Sequence, residues 1–373
     1  MDVNRRRTKN SQPSPKKRVT FEDGYFQDLD KKNKKIRPKD FMKQHLRKLI
    51  ILSIVALVTY LLFAPPPKFS KEVQFWHDSS YLFKYKNIDV YFHDIPDVKR
   101  KPISLDPTLL IFHGFPTSSY DWRDMVPQFH KHFGRIIIPD FIGFGFSDKP
   151  LRNHEYSIME QASMVEELIK YLNITDVHVL AHDYGDTVLQ EIIARSDDPS
   201  RGIGFRIHSA CLTNGGIIPS QHQPLIAQKL LVYPVLRSIL PHLTNRYFFN
   251  SRFSSVFAPH REPSSKQLED FWAIIAFKRG HLVSSAVLGY IAERYANEKR
   301  WVGALQSTAI PLHLIYGPMD PVNTPDGFLK AYRELVSHST VSVLEGVGHY
   351  PQLEAPKKFS KEFGNFIKKI TKK

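Results

Sequence analysis

Val177-His178-Val179-Leu180-Ala181 is a short apolar run, and shortly behind it Val188, Leu189, Ile192 and Ile193 recur with helical spacing. The run reads as a buried strand and the following segment as a helix. The chain must therefore turn from one into the other across Ala181-His182-Asp183-Tyr184-Gly185. Small residues two positions either side of Asp183 allow a bend that larger side chains would block. A bend of this kind exposes its central residue as a nucleophile at the top of a sheet. Asp is also a favoured helix N-cap, so the turn alone leaves a catalytic and a capping role open for Asp183.

A nucleophile at this turn is most often a serine, whose proton a neighbouring His must remove. A carboxylate is already ionised near neutral pH and needs no base before it attacks. It is a poor nucleophile toward amides and esters but can displace a leaving group at saturated carbon. The product is an ester of Asp183, which a His-activated water would then cleave.

Around this turn, strands and helices alternate. Leu82 to Phe92 reads as a hairpin about Asn87; Thr108 to Phe112 and Ile136 to Asp140 read as buried strands, with a helix carrying Trp122, Met125, Val126 and Phe129 between them. Ser157 to Leu172 has helical periodicity, and Ile207 to Thr213 is the next strand. The alternation predicts a parallel sheet. It stops over 215–305, where six prolines between Pro219 and Pro263 divide short helical pieces rich in aromatics, the composition of a cap inserted over an active site. Strands resume at Leu312 to Gly317 and Thr340 to Leu344, and a helix with Phe359, Phe363, Phe366 and Ile367 closes the chain. The expected organisation is a basic tail (1–48), an anchor (49–64), a linker (65–79), a core in two parts (80–214 and 306–373) and a cap (215–305).

Asp320 and His349 each follow one of the late strands, in the order nucleophile, acid, histidine. In that scheme His349 takes a proton from the hydrolytic water, while Asp320 fixes its tautomer and balances the imidazolium. The backbone N–H groups of Phe115 and Tyr184 are the candidate oxyanion hole. His113 and His182 read as structural hydrogen-bonding residues, since no metal-ligand spacing such as H-E-x-x-H supports a metal site there. Gly143-x-Gly145-x-Ser147 is a tight turn without the third glycine of a dinucleotide motif. No cofactor is expected.

His113-Gly114-Phe115-Pro116, Gly143-Phe144-Gly145-Phe146-Ser147-Asp148-Lys149-Pro150 and His182-Asp183-Tyr184-Gly185 together resemble the epoxide hydrolase and haloalkane dehalogenase branch of the α/β-hydrolases. The resemblance implies a mostly parallel eight-stranded sheet with an inserted helical cap. It also implies opening of an epoxide on a hydrophobic or lipid-like substrate through an alkyl-enzyme ester. Dehalogenases of the branch hold the halide with a Trp after the nucleophile and often an Asn after the His-Gly pair; Tyr184 and Phe115 stand there instead. Epoxide hydrolases activate the ring oxygen with cap tyrosines. Tyr233, Tyr247, Tyr290 and Tyr295 are available here, and Tyr290 is the first choice as cap acid. Haloalkane dehalogenation, lipid acyl hydrolysis or transfer, and a catalytically silent membrane scaffold remain alternatives.

The net charge of +15 is unevenly placed. Residues 1–48 hold 16 Lys and Arg against 6 Asp and Glu, while the remainder holds 36 against 31. Basic character thus belongs to the tail, and nucleic-acid binding by the folded domain is not expected. Leu49 to Ala64 contains 16 residues without a charge, followed by three prolines. As a helix it would cover roughly 24 Å, close to the thinner bilayer of the endoplasmic reticulum. It reads as a single membrane anchor, with an interfacial, non-spanning helix as the alternative. Seven Lys and Arg lie within 15 residues before it and two within 15 after it, which predicts a cytosolic tail and a catalytic domain across the membrane. Cys211 is the single cysteine, so no intrachain disulfide can form. Asn173-Ile174-Thr175 is one glycosylation sequon, usable only in a luminal domain. Protease added to sealed microsomes should spare the chain beyond residue 70; complete digestion from outside would instead favour the interfacial helix.

Overall fold

The runs Thr108–Phe112 and Val177–Ala181 are buried at every position, as strands covered on both faces must be. The computed structural model describes residues 38–63, 67–98, 108–223, 241–242 and 244–371. Most of the expected basic tail and residues 224–240 of the expected cap lie outside the described residues.

The strands are β1 (Tyr81–Tyr85), β2 (Ile88–Pro96), β3 (Thr108–Phe112), β4 (Arg135–Pro139), β5 (Asp176–Ala181), β6 (Arg206–Thr213), β7 (Leu312–Tyr316) and β8 (Thr340–Val343). They form one eight-stranded sheet in the order β1-β2-β4-β3-β5-β6-β7-β8. Pairing is antiparallel from β1 to β2 and from β2 to β4, and parallel from β4 through β8. Strand β5 thus lies inside the sheet between β3 and β6, and its C-terminal end is where parallel sheets carry their ligand sites. Side chains alternate between two cores: Leu110 and Phe112 pack on one face, Leu109 and Ile111 on the other.

Helix α1 (Pro38–Phe63) belongs to a unit separate from the core. Leu49, Ile50, Ile51, Leu52, Ile54 and Val55 are exposed along it. Among the described residues, no helix is long and apolar enough to cross a membrane. The side chains of 61–64, the end of the expected anchor, lie outside the described residues.

In the core, α2 (Lys71–Asp78) precedes the sheet, α3 (Ile158–Tyr171) covers the face carrying Phe112, and α4 (Tyr184–Ser196) follows the turn after β5. Ser157 caps α3, its Oγ accepting from the Glu160 N–H at 3.2 Å. The segment with Trp122 is a 3₁₀ helix, Ser119–Met125, that passes into a single α turn, Val126–Phe129, with a proline in its first turn. Pro127 lacks an N–H and so cannot extend one continuous helix from Ser119.

The described part of the cap contains α5 (Arg246–Ser254), α6 (Ser265–Ala276) and α7 (Tyr290–Ala296). Helix α8 (Glu298–Ser307) packs along α4 and contributes Trp301, Ala304 and Leu305 to the sheet core, so core structure resumes before residue 305. Buried Glu191 of α4 ties these helices together. It accepts from Arg195 Nε at 2.7 Å, Arg300 Nε at 2.7 Å and Trp301 Nε1 at 2.8 Å. Removing a buried carboxylate strands its cation. Glu191→Ala should therefore lower stability by about 3 kcal/mol, read as a shift in the chemical denaturation midpoint; an unchanged midpoint would contradict the role assigned to this cluster.

Candidate active site

Asp183 takes φ 47° and ψ −104°, a conformation that non-glycine residues avoid. Its N–H donates to Thr213 O at 3.1 Å, and the Gly185 N–H donates to His182 O at 2.8 Å and His113 O at 3.1 Å. The glycine is required: a Cβ at Gly185 would stand 2.6 Å from Phe112 Cβ and 2.8 Å from His113 O. The turn is thereby pinned between β3 and β6, and it lifts the Asp183 carboxylate above the strand ends.

The Phe115 N–H donates to Asp183 Oδ2 at 3.0 Å. Tyr184 is the first residue of α4, so its N–H belongs to the unpaired donors of a helix start. The loop carrying Phe115 is held in turn by the Tyr350 hydroxyl, which donates to Phe115 O at 3.0 Å. His113 accepts from the Phe141 N–H through Nε2 at 3.1 Å and donates from Nδ1 to Gly114 O at 3.0 Å. His182 donates from Nε2 to His349 O at 2.8 Å. Both histidines hold backbone, as expected from the sequence. Among the described residues no group of three or more His, Cys, Asp or Glu could hold a metal ion.

His349 Nδ1 donates to Asp320 Oδ2 at 2.9 Å. The same oxygen accepts from Asn214 Nδ2 at 2.9 Å and Asn323 Nδ2 at 3.1 Å, while Oδ1 accepts from the Val322 N–H at 2.7 Å. The histidine loop is fixed by buried Glu354, which takes the N–H groups of Gly348 at 2.7 Å, Tyr350 at 3.0 Å and Ala258 of the cap at 3.0 Å. Burial disfavours the imidazolium of His349. The charge and hydrogen bond of Asp320, with Asp183 behind them, outweigh it and push His349 up to about 9. Burial likewise opposes the Asp320 anion, but His349, Asn214 and the Val322 N–H hold its carboxyl below the usual range. Both shifts favour the ion pair.

Asp183, His349, Phe115 and Tyr290 line one cavity of about 190 Å³. Its other walls are largely apolar, with Phe249, Phe253, Val256, Trp272, Ile275 and Leu288 from the cap side. Burial first, and then the Asp183 charge, raises the Tyr290 phenol above its ordinary range, so it holds its proton at neutral pH. Tyr247 and Tyr295 are exposed, and Tyr233 lies outside the described residues. The Tyr184 side chain is not in the cavity wall; its ring packs among Phe141, Phe144 and Tyr290.

Sequence reasoning missed Arg294, Glu354, Tyr350 and the asparagine pair Asn214 and Asn323. Arg294 is buried, donating from Nε to Thr187 Oγ1 at 2.7 Å and from Nη2 to the Asp183 main-chain O at 3.3 Å. The available signal was its place four residues after Tyr290, on the same helix face.

This sheet order, with a strained turn after β5 and a cap over it, defines an α/β-hydrolase, and a family model of the α/β-hydrolase fold matches residues 107–199. The mesoderm-specific transcript protein of Mus musculus is 43% identical over 85% of this chain and 94% of its own. The Homo sapiens homolog is 44% identical over the same shares, 85% and 94%. The chain belongs to the mesoderm-specific transcript family. A putative hydrolase, LipZ, of Mycobacterium tuberculosis is 36% identical over 68% of this chain and 86% of its own. Among solved structures, the haloalkane dehalogenase DatA of Agrobacterium tumefaciens shares the fold at TM-score 0.63 and 20% identity, over 78% of this chain and 96% of that one. A putative lipase of Acinetobacter baumannii does so at TM-score 0.66 and 18% identity, over 83% and 99%. The fold and the hydrolase-named relative support a hydrolase.

The raised His349 value has a sign that can be checked. Its contribution to stability is fully present below the unfolded value of about 6.5 and is lost as pH rises through about 9. The stability difference between wild type and His349→Gln should therefore shrink between pH 7 and pH 10 (denaturant midpoints at each pH), and a difference that grows over that range would contradict the pairing.

Proposed function

We propose that the protein is an epoxide-hydrolase-like enzyme with Asp183 as nucleophile, His349 as base and Asp320 as its acid partner. The observation that carries this reading is the Phe115 N–H on Asp183 Oδ2, which leaves Oδ1 as the oxygen to attack in the cavity His349 also lines. Oδ1 attacks a ring carbon, the ring C–O bond breaks, and the ring oxygen takes the Tyr290 proton. Water then attacks the ester carbon while His349 takes its proton, and Oδ2 becomes the oxyanion on the Phe115 and Tyr184 N–H groups. Oδ1 leaves with the product and is protonated by the imidazolium, and Asp183, left as the acid, returns its proton to the Tyr290 phenolate through water. Asp320 is the main group holding His349 protonated; forming the ester removes the smaller contribution of the Asp183 charge and so moves His349 toward the neutral form.

An epoxide suits this site better than a haloalkane. Neither Phe115 nor Tyr184 brings a side-chain donor to the cavity for a departing halide, whereas Tyr290 stands in the wall as a proton donor. The apolar walls suit a hydrophobic or lipid-like substrate. Exposed leucines and isoleucines along α1, next to a basic segment, suit attachment to a membrane of the endoplasmic reticulum with the tail in the cytosol. His349→Gln incubated with styrene oxide should gain the mass of the whole epoxide on Asp183, and His349→Gln combined with Asp183→Ala should gain none. Turnover of styrene oxide by Asp183→Ala at the wild-type rate would refute the assignment.

A further inference from the structure

Arg294 is a cation with little contact with water, held at several points against the nucleophile. Its side chain is 2% exposed. Nε is fixed by Thr187, one turn into α4, at 2.7 Å, and the guanidinium carbon lies 4.5 Å over the Tyr290 ring. Nη2 reaches the Asp183 main-chain oxygen at 3.3 Å and stands 3.8 Å from Oδ1. A buried guanidinium needs a counter-charge. Asp183 is the carboxylate within ion-pair distance of Arg294; the Asp186 carboxyl, pushed up by burial, instead accepts from the Thr213 N–H with both oxygens.

The two carboxylate oxygens of Asp183 therefore have different partners. Oδ2 is on the Phe115 N–H and Oδ1 faces Arg294. Given the alkyl-enzyme reading above, on which this inference rests, the difference divides the reaction. In the first step Oδ1 shares its electrons with substrate carbon, the Asp183 charge is lost, and Arg294 is left without a counter-ion. In the second step the bond from the ester carbon to Oδ1 breaks, and Oδ1 carries the electron pair away until the His349 imidazolium protonates it. A cation 3.8 Å from Oδ1 opposes the first step and favours the second.

We propose that Arg294 is a catalytic residue of the hydrolytic half-reaction, stabilising Oδ1 as the leaving alkoxide and driving return of the charged Asp183. It comes from α7, the cap helix that also carries Tyr290, so one helix supplies a group to each half-reaction.

The test follows ester on Asp183 by rapid quench and intact mass, with full-length enzyme and styrene oxide. In Arg294→Met, ester formation should be unchanged or faster and ester decay slower by about a hundredfold, so that ester accumulates as in His349→Gln. Arg294→Lys keeps the charge and should restore part of the decay rate. Normal decay in Arg294→Met, or equal slowing of both steps, would overturn the proposal. If Arg294→Met does not fold, Arg294→Lys decides alone: slowed decay with normal formation supports the assignment, and equal slowing of both refutes it. Failure of the underlying reading looks different, because His349→Gln would then form no ester at all.

Discussion

Everything at the site hangs on one strained residue. Asp183 sits at φ 47° because β5 ends inside the sheet and α4 must start at once beneath the cap. Such a conformation costs on the order of 1–3 kcal/mol and persists only where its surroundings over-determine it. Here they do: neighbouring strands grip the turn through Thr213 O and His113 O, and Gly185 leaves room for Phe112. The same grip aims the carboxylate at the Phe115 N–H and the cavity. A relaxed turn would move the Asp183 carboxylate out of reach of both.

Around that turn the buried charges come in balanced sets. Asp320 is matched by His349 and four N–H donors including the His349 ring, Glu354 by three backbone N–H groups, and Asp183 by Phe115 and Arg294. Each carboxylate therefore has a fixed direction rather than a solvated one. Loop, strand end and cap helix are coupled through these sets, since Glu354 binds Ala258 and Arg294 reaches Asp183 from α7. A change of charge at one is felt by the others, as the contribution of Asp183 to the raised His349 value illustrates.

Much of this was legible in the sequence because buried parallel strands are written as apolar runs. Thr108 to Phe112, Ile136 to Asp140 and Leu312 to Gly317 each read as a strand, and the strands are Thr108–Phe112, Arg135–Pro139 and Leu312–Tyr316. Asp320 and His349 were findable because each lies in the loop after a late strand, Leu312–Tyr316 and Thr340–Val343. The cap boundary was less legible: the helical period of Glu298 to Ser307 is the same whether it packs on cap or core, and tertiary contacts such as Arg300 and Trp301 on Glu191 separate the two. Arg294 was hidden for a related reason. A lone Arg on a helix reads as solvated, and its partner Thr187 is 107 residues away in the chain. Glu354 was hidden by its partners, which are backbone groups and leave no side-chain pattern.

The central claim is that Asp183 forms a covalent ester which water then cleaves at the ester carbon. A single turnover of styrene oxide by excess wild-type enzyme in water enriched with heavy oxygen tests it most directly. The account predicts label in the Asp183 carboxylate and none in the diol, because the oxygen given to the product is Oδ1. Label in the diol on that first turnover would mean that water attacked the epoxide itself, with Asp183 a base or a bystander, and would contradict the account.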